Sequence, residues 1–461
     1  MKPIIVWFRQ DLRLSDNPAL AFAAKSGQPL VCLYVLDDET PGEWAISGAS
    51  RWWLHHSLAS LDASLKQKGG GLVLRRGDAA KIVKAVVKET GADSVAWNRC
   101  YEPFAVERDS KLKPELTGAG ISVESCNGSL LAEPWEVKTG GGTPFKVYTP
   151  FWKALRAQTS PGSPLQAPHK LAFHGDVKTD ALKSWKLLPT KPDWATGFDW
   201  TPGEKAAHDA LYDFLDDIAD YGTARDIPGK DGTSRLSPYL HFGEISPRQV
   251  WHVVRSHSQA HGADKFLGEI GWREFNHQLL FHNPRLPTHA YDERFTKLKW
   301  RQSEKDFTAW TRGQTGVPIV DAGMRQLWQT GWMHNRVRMV VASFLIKHLL
   351  IDWRKGQRWF WDTLVDADLA NNAANWQWVA GSGADASPFF RIFNPVLQGQ
   401  KFDPEGTYVR RFVPELADVP DKFIHRPWEA PSPPRGYPAP IVDLGTGRDR
   451  AMVAFRALPK R

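Results

Sequence analysis

The sequence predicts a two-domain protein: an α/β Rossmann-like domain with a parallel sheet at the N-terminus, followed by an all-α domain. At 461 residues the chain is longer than a single core usually supports. Short apolar runs alternate with helical patterns in the first 130 residues, whereas helical patterns follow one another after residue 200. Strands and helices in alternation predict a parallel sheet covered on both faces.

Four apolar runs predict the strands of this sheet: residues 4–8, 30–36, 72–74 and 94–97. Leucines at helical spacing in 51–65 predict a helix, and Gly91 can end another that starts near residue 81. Asn17 and Pro18 are typical of a helix N-cap and first turn. The turn after the first strand lacks the G-x-G-x-x-G pattern, so we expect no nicotinamide or FAD pyrophosphate site there.

A stretch rich in glycine, proline, lysine and threonine separates the two patterns. It covers residues 136–200 and predicts a long, partly ordered connection. We therefore expect an α/β domain over 1–135 and a helical domain over 201–461. The helical candidates of the second domain are 203–221, 266–282, 320–331, 336–353 and 366–378.

The composition narrows the classes of function. A formal charge of +8 favours a polyanionic partner, although a solvated basic surface gives the same count. The three cysteines, Cys32, Cys100 and Cys126, cannot form a four-cysteine iron–sulfur site and do not suggest a disulfide framework. No apolar stretch is long enough for a signal peptide or a membrane span, so we expect a cytoplasmic protein without membrane association. The 22 tryptophans suggest redox or aromatic-ligand chemistry.

One predicted helix carries polar groups and indoles on the same face. In DADLANNAANWQW, Asp368, Asn372 and Trp376 lie at i, i+4 and i+8. The ordinary interpretation is an Asp-capped helix with tryptophans in the core and polar residues in solvent. The alternative is a face that contacts a polar ligand.

Two further helical patterns repeat this combination. Glu269, Trp272, Arg273 and Asn276 share a face, for which a surface salt bridge beside a packed tryptophan is the simpler explanation. Asn335, Arg338 and Met339 lead into an apolar helix, where buried polar groups need partners. Thr233, Ser234 and Ser237 precede Pro238, which suits phosphate binding or a simple N-cap. A large polar ligand inside a helical domain would satisfy all three faces.

Six motifs make the chain resemble the photolyase and cryptochrome family over essentially its whole length. They are WFRQDLRLSDNPAL, DGTSRLSPYLHFGEISPRQVW, GWMHNRVRM, LLIDWRKG, DADLANNAANWQW and SPFFRIFNP. The likeness is strongest to bacterial photolyases of the class III-like branch near plant cryptochromes. The resemblance implies an α/β domain for an antenna chromophore and a helical domain that holds U-shaped FAD beneath a hole for a flipped-out lesion.

The resemblance also assigns roles residue by residue. The implied FAD contacts are Tyr221, Thr233, Ser234, Leu236, Ser237, Arg273, Asn335, Arg338, Asp366 and Asp368, with Asn372 facing flavin N5. The implied tryptophan relay for light-driven flavin reduction is Trp376, Trp353 and Trp300. The implied lesion pocket is Glu269, Trp272, Met339 and Trp378, and the residues expected at the reacting groups are Glu269, Asn335, Met339 and Asn372. The implied DNA contacts are Arg225, Arg336, Arg391, Gln398 and Lys401. No metal is expected.

The implied activity is light-dependent DNA repair by a carbon–carbon lyase. Reduced FAD donates an electron to a flipped-out cyclobutane pyrimidine dimer in UV-damaged DNA, which splits into two pyrimidines. Asn372 suits this chemistry, because an amide accepts from flavin N5–H without readily giving a proton. The alternative is a blue-light cryptochrome photoreceptor without repair. Repair of the 6-4 photoproduct is disfavoured, since Asn335 and Met339 stand where that branch has a histidine pair, and His334 is interpreted as structural.

The antenna chromophore is expected to be 5,10-methenyltetrahydrofolate. The alternative is 8-hydroxy-5-deazaflavin, which is weakened because Cys100 and His241 stand where relatives that bind it carry an acid and a lysine. A monomer is the expectation for the family.

Overall fold

The computed structural model describes residues 1–175, 177–257 and 261–460, which divide into two compact units. The first unit comprises Met1–Asp193, Trp200–Ile218 and Ser234–Pro284. The second comprises Trp194–Asp199, Ala219–Thr233 and Arg285–Arg461. The domain boundaries expected at residues 135 and 200 stay a prediction.

The α/β prediction is confirmed by a five-stranded parallel sheet in the first unit. Its strands are β1 (Ile4–Phe8), β2 (Leu30–Leu36), β3 (Leu72–Arg76), β4 (Ser94–Asn98) and β5 (Ser122–Cys126), in the spatial order β3-β2-β1-β4-β5. The four predicted strands are all present, and β5 was missed. No residue of β5 is fully buried, since it lies at the edge of the sheet, so its SVESC sequence shows no apolar run.

Eighteen α-helices accompany the sheet in the described part of the chain. They are α1 (Pro18–Lys25), α2 (Gly48–Gln67), α3 (Ala79–Thr90), α4 (Pro103–Gly118), α5 (Tyr148–Gln158), α6 (Glu204–Asp216), α7 (Tyr221–Ala224), α8 (Ser237–His241), α9 (Pro247–His257), α10 (His261–His282), α11 (Glu304–Thr311), α12 (Pro318–Thr330), α13 (Asn335–Ser343), α14 (Trp353–Thr363), α15 (Leu369–Ala380), α16 (Pro395–Phe402), α17 (Thr407–Phe412) and α18 (Leu444–Arg456). None of the helices in the described ranges is both long and apolar enough to cross a membrane.

Side-chain chemistry fixes the ends of the predicted helices. The Asn17 side chain accepts from Leu20 N at 3.1 Å at the start of α1, as predicted. Gly91 ends α3 with a φ of 66°, a left-handed conformation that glycine adopts without steric cost.

A polar network lies where the chain order of the sheet reverses, between β1 and β4. Asn98 Nδ2, at the end of β4, donates to Asp11 Oδ2 at 2.6 Å and to Asn17 Oδ1 at 2.8 Å. All three residues are buried. Doubly wound folds bind dinucleotides in the crevice at this point. Here Asp11, Asn17 and Asn98 hydrogen-bond one another at this point.

The long helix predicted over 336–353 is interrupted. Helix α13 ends at Ser343, and Phe344–His348 continue as a π-helical turn. Leu350 then adopts a φ of 53°, which redirects the chain before α14 begins at Trp353. Within this turn the fully buried Lys347 donates to Arg391 O at 3.0 Å. The apolar sequence concealed the break, because every residue of the turn is buried.

Glu244 makes the stability of the protein depend on pH. It is fully buried, accepts from Trp53 Nε1 at 3.0 Å, and burial raises its pKa from 4.5 to about 8. Between these values the folded carboxyl stays protonated while the unfolded one ionises, so this residue's contribution to stability falls as pH rises. We expect the melting temperature of Glu244→Gln to decline less than that of the wild type between about pH 5 and pH 8. The exposed Glu405→Gln is the control, and parallel curves for Glu244→Gln and wild type would contradict the prediction.

Candidate functional site

Helix α15 carries the first predicted face, and its N-terminus has the expected cap. Asp368 accepts from Asn371 N at 2.7 Å, so the capped-helix interpretation is confirmed for this residue. The rest of the face is not solvated, because Asn372 and Trp376 are both buried. The stripe of polar and indole groups therefore faces the interior of the second unit.

Asn372 is oriented by the neighbouring helix. Its Nδ2 donates to Gln357 O, on α14, at 3.0 Å. With the amide nitrogen used by a protein carbonyl, the Oδ1 end supplies the group's acceptor capacity. A buried, oriented acceptor suits a ligand that presents an N–H.

Gln357 itself was not found by the sequence reasoning. Its side chain has no exposed surface, and within the described part of the chain neither Oε1 nor Nε2 has a hydrogen-bond partner. Leaving a buried amide unsatisfied costs about 1–3 kcal/mol per group. Because its backbone carbonyl is the one that holds Asn372, both amides belong to the same region of the second unit. A polar ligand such as FAD fits these two residues.

Trp376 packs in an aromatic cluster. Its ring lies 5.0 Å from Phe360 and 6.3 Å from Trp310, both edge to face. Its side chain is 3% exposed and that of Trp353 1%, whereas Trp300 is partly exposed at the edge of a separate apolar cluster. The predicted relay residues thus include two interior rings and one near the surface. Trp310 was missed, since nothing in its local sequence indicates that it meets Trp376.

Arg338 and Asp366, both predicted to contact FAD, form an ion pair. The guanidinium donates to both carboxylate oxygens, at 3.2 and 2.8 Å, and Nε donates to Met333 O at 2.7 Å. Such a bidentate pair has a fixed orientation. His334 caps helix α13, which contains Arg338, by accepting from Arg336 N at 3.2 Å. Burial lowers the His334 pKa to about 4, which keeps the ring neutral and supports a structural role.

The residues predicted to contact DNA differ in their surroundings. Arg336 pairs with Asp226 at 2.6 Å and lies over the Phe402 ring, and Arg225 lies over the Tyr221 ring. Arg391 and Lys401 are exposed, and Gln398 is partly exposed. Exposed cations are available to phosphates, whereas the ion pair of Arg336 offsets part of its charge.

Helix α10 carries the predicted face of the first unit. Glu269, Trp272 and Arg273 are partly exposed, and Asn276 is buried. Arg273 donates to Ser129 O at 2.7 Å. Beside it, Glu274 accepts from Leu131 N at 2.8 Å, and burial raises its pKa to about 7. Because Glu274 does not share the spacing of the predicted face, the sequence pattern did not predict it as a site residue.

The other predicted site residues lie at the starts of helices or are at least partly exposed. Ser237 is the first residue of α8, which has no side-chain cap, and Ser234 Oγ accepts from Leu236 N at 3.4 Å. Asn335 is exposed at the start of α13, and Met339 and Trp378 are partly exposed. Within residues 1–175, 177–257 and 261–460, no group of three or more histidine, cysteine or acidic residues could hold a metal ion.

Gly356 allows α14 to approach the Trp376 ring. A Cβ at this position would overlap the ring carbons of Trp376. We expect Gly356→Ala to lower the free energy of unfolding by about 1–3 kcal/mol, since overpacking forces side chains from their rotamers. Thermal melting measures the loss. Gly140→Ala is the matched control, because nothing lies within 4 Å of a Cβ there. Equal stability of the two variants would show that α14 and Trp376 adjust freely.

Comparisons with known proteins agree with this arrangement. A family model described as the FAD binding domain of DNA photolyase matches residues 266–457, and one described as DNA photolyase matches residues 4–169. The chain is 54% identical over 474 residues to a deoxyribodipyrimidine photo-lyase of Agrobacterium fabrum, covering 99% of this chain and 98% of that protein. It is 41% identical over 478 residues to cryptochrome-1 of Arabidopsis thaliana, covering 97% of this chain and 69% of that protein.

A solved structure gives the same relationship. The crystal structure of a bacterial class III photolyase from Agrobacterium tumefaciens matches with a TM-score of 0.96 at 54% identity, covering 99% of this chain and 98% of that one. Similarity of this extent, in sequence and in structure, confirms the resemblance carried by the six motifs. The chain belongs to the DNA photolyase and cryptochrome family.

Proposed function

We propose that the protein is a deoxyribodipyrimidine photo-lyase, which splits cyclobutane pyrimidine dimers in UV-damaged DNA under light. The observation that carries this proposal is the whole-length relationship to a protein of that name. The helical unit adds a second argument, because its buried polar groups match a flavin bound in the interior. The reaction is the cleavage of carbon–carbon bonds, so the enzyme is a lyase.

The proposed FAD contacts are Tyr221, Thr233, Ser234, Leu236, Ser237, Arg273, Asn335, Arg338, Asp366, Asp368 and Asn372. Asn372 is the best supported of them, since its Nδ2 is held by Gln357 O and its Oδ1 is left to accept from flavin N5–H. The unpartnered amide of Gln357 supports a polar ligand in the same region.

The protein contributes to the chemistry by binding and orienting the FAD and the lesion and by excluding water. When bound and reduced, FAD would supply one electron to the dimer on light excitation and would take it back after the carbon–carbon bonds break, so that the reaction has no net oxidation or reduction. Asn372 holds the flavin edge with a neutral acceptor, which does not readily release a proton. Trp376, Trp353 and Trp300 are proposed to deliver an electron from the surface when the flavin is oxidised. Trp376 and Trp353 are only 3% and 1% exposed, whereas Trp300 is partly exposed, as a path from the interior to the surface requires.

The lesion is proposed to be gripped by aromatic and polar side chains. Trp272 and Trp378 are partly exposed, as stacking surfaces for an extruded pyrimidine dimer must be. Glu269 is proposed to hydrogen-bond the pyrimidine edge, and Met339 and Asn335 to complete the pocket. Contacts to the DNA backbone are assigned to Arg225, Arg336, Arg391, Gln398 and Lys401, which would give affinity without sequence preference.

A cryptochrome photoreceptor without repair is the second candidate, because a plant cryptochrome is 41% identical over nearly the whole chain. The neutral amide of Asn372 and the partly exposed Trp272 and Trp378 favour repair.

For the antenna we propose 5,10-methenyltetrahydrofolate, with 8-hydroxy-5-deazaflavin as the alternative. The absorption spectrum of the purified protein distinguishes the two. A cytoplasmic monomer remains the prediction for location and assembly.

Repair is tested by illuminating the purified protein with a dimer-containing oligonucleotide under blue light. We expect restored pyrimidines in the light and none in the dark, because the electron comes from the excited flavin. Loss of dimers is measured by chromatography, with an oligonucleotide that carries the 6-4 photoproduct as the substrate control. Binding of dimer DNA without light-dependent repair would favour the photoreceptor.

The relay is tested with Trp376→Phe. We expect this variant to lose photoreduction of oxidised flavin, measured by absorption under blue light, since phenylalanine is much harder to oxidise than indole. Repair by chemically pre-reduced protein should persist. Trp328→Phe is the control, because Trp328 is 50% exposed and pairs with Trp359 outside the Trp376 cluster. Normal photoreduction in Trp376→Phe would show that another aromatic side chain donates the electron to the flavin. Trp310→Phe would then be the next variant to test.

A further inference from the structure

Trp272 is covered on one side by an aromatic ring from another helix. The rings of Tyr148, at the start of α5, and Trp272, on α10, are stacked with centroids 3.8 Å apart and an angle of 10° between their planes. Nothing can enter between rings at this separation. One face of Trp272 is therefore already used within the first unit, and a ligand can stack only on the other face or meet an edge.

Tyr148 is itself held in place. Its hydroxyl donates to Gly268 O at 2.6 Å, and Gly268 lies one helical turn before Trp272 on α10. Trp152, one turn further along α5, lies parallel to Tyr148 at an angle of 11°. A Cβ on Gly271 would overlap the Trp152 ring, so the absence of a side chain there lets α5 lie close to α10. The hydrogen bond and the second ring together fix the plane of Tyr148.

A tryptophan that is partly exposed normally exchanges between rotamers. Fixing one rotamer when a ligand binds then lowers the conformational entropy of the side chain, which weakens binding. The stack against Tyr148 fixes the Trp272 indole before any ligand arrives. Such preorganisation strengthens only those complexes that use the indole. Duplex DNA without damage keeps its bases stacked inside the helix, whereas an extruded lesion meets the pocket.

We propose that Tyr148 is a positioning residue that holds Trp272 for the flipped-out dimer and so contributes to discrimination between damaged and undamaged DNA. This inference rests on the proposed function of Trp272 in the lesion pocket. Tyr148 acts through the indole and not on the reacting atoms. Its effect therefore falls on the affinity for dimer-containing DNA and leaves the affinity for undamaged DNA unchanged.

The test compares Tyr148→Leu and Tyr148→Phe with the wild type in the dark, with FAD bound. We expect Tyr148→Leu to weaken binding of a dimer-containing oligonucleotide about threefold to tenfold, which is the scale of fixing one large side chain. Binding of the undamaged oligonucleotide should not change. Tyr148→Phe keeps the stacked ring and should retain most of the discrimination, which a general loss of packing would not predict. Tyr212→Leu is the control, since Tyr212 is 57% exposed on α6.

Melting temperature and FAD content are measured for every variant. If Tyr148→Leu does not fold, Tyr148→Met replaces it, because methionine fills a similar volume without a planar face. Equal weakening on both oligonucleotides, unchanged discrimination in a folded leucine or methionine variant, or a phenylalanine variant as impaired as leucine would overturn the inference. If the wild type itself does not prefer dimer DNA, the proposed function fails instead.

Discussion

The close approach of α14 to α15 is the constraint on which the functional side chains of the second unit depend. Gly356 leaves room for the Trp376 ring, and one residue later the carbonyl of Gln357 accepts from Asn372 Nδ2. One contact fixes an indole, and the other fixes the orientation of an amide. A larger residue at position 356 would separate the helices and release both. The indole and the amide for which we propose the roles of redox partner and hydrogen-bond acceptor are thus positioned by one helix pair.

Buried polar groups play different parts in the two units. In the first unit, Asp11, Asn17 and Asn98 hydrogen-bond one another where the sheet order reverses, the point at which related topologies bind dinucleotides. In the second unit, the side-chain amide of Gln357 has no hydrogen-bond partner among the described residues, and Asn372 Nδ2 donates to the Gln357 backbone carbonyl. A satisfied network stabilises a fold, whereas an unsatisfied buried amide is costly, and the polar ligand that we propose would supply its missing hydrogen bonds.

The sequence predicted the architecture well, because periodicity records burial directly. Strands β1, β2 and β4 are mostly buried runs, and the caps at Asn17 and Asp368 are local chemistry. The edge strand β5 was missed because it is only partly buried and so has no apolar run. The π-helical turn was missed because all of its residues are buried, so its sequence does not differ from that of a continuous buried helix. Family motifs supplied the site residues, whose roles remain proposals. Gln357, Trp310 and Tyr148 could not be selected, because their interest lies in tertiary contacts that no local pattern encodes.

The π-helical turn has a consequence for the segment that contains Arg391. Lys347 anchors that segment by donating to Arg391 O, and burial lowers the Lys347 pKa to about 7. An amine that loses its proton still carries two N–H groups, so it can go on donating to the carbonyl. The tether therefore survives deprotonation near neutrality, and only the charge beside the Phe389 ring is lost. The hydrogen bond that attaches the exposed Arg391 segment to the helical core therefore persists when the pH changes around neutrality.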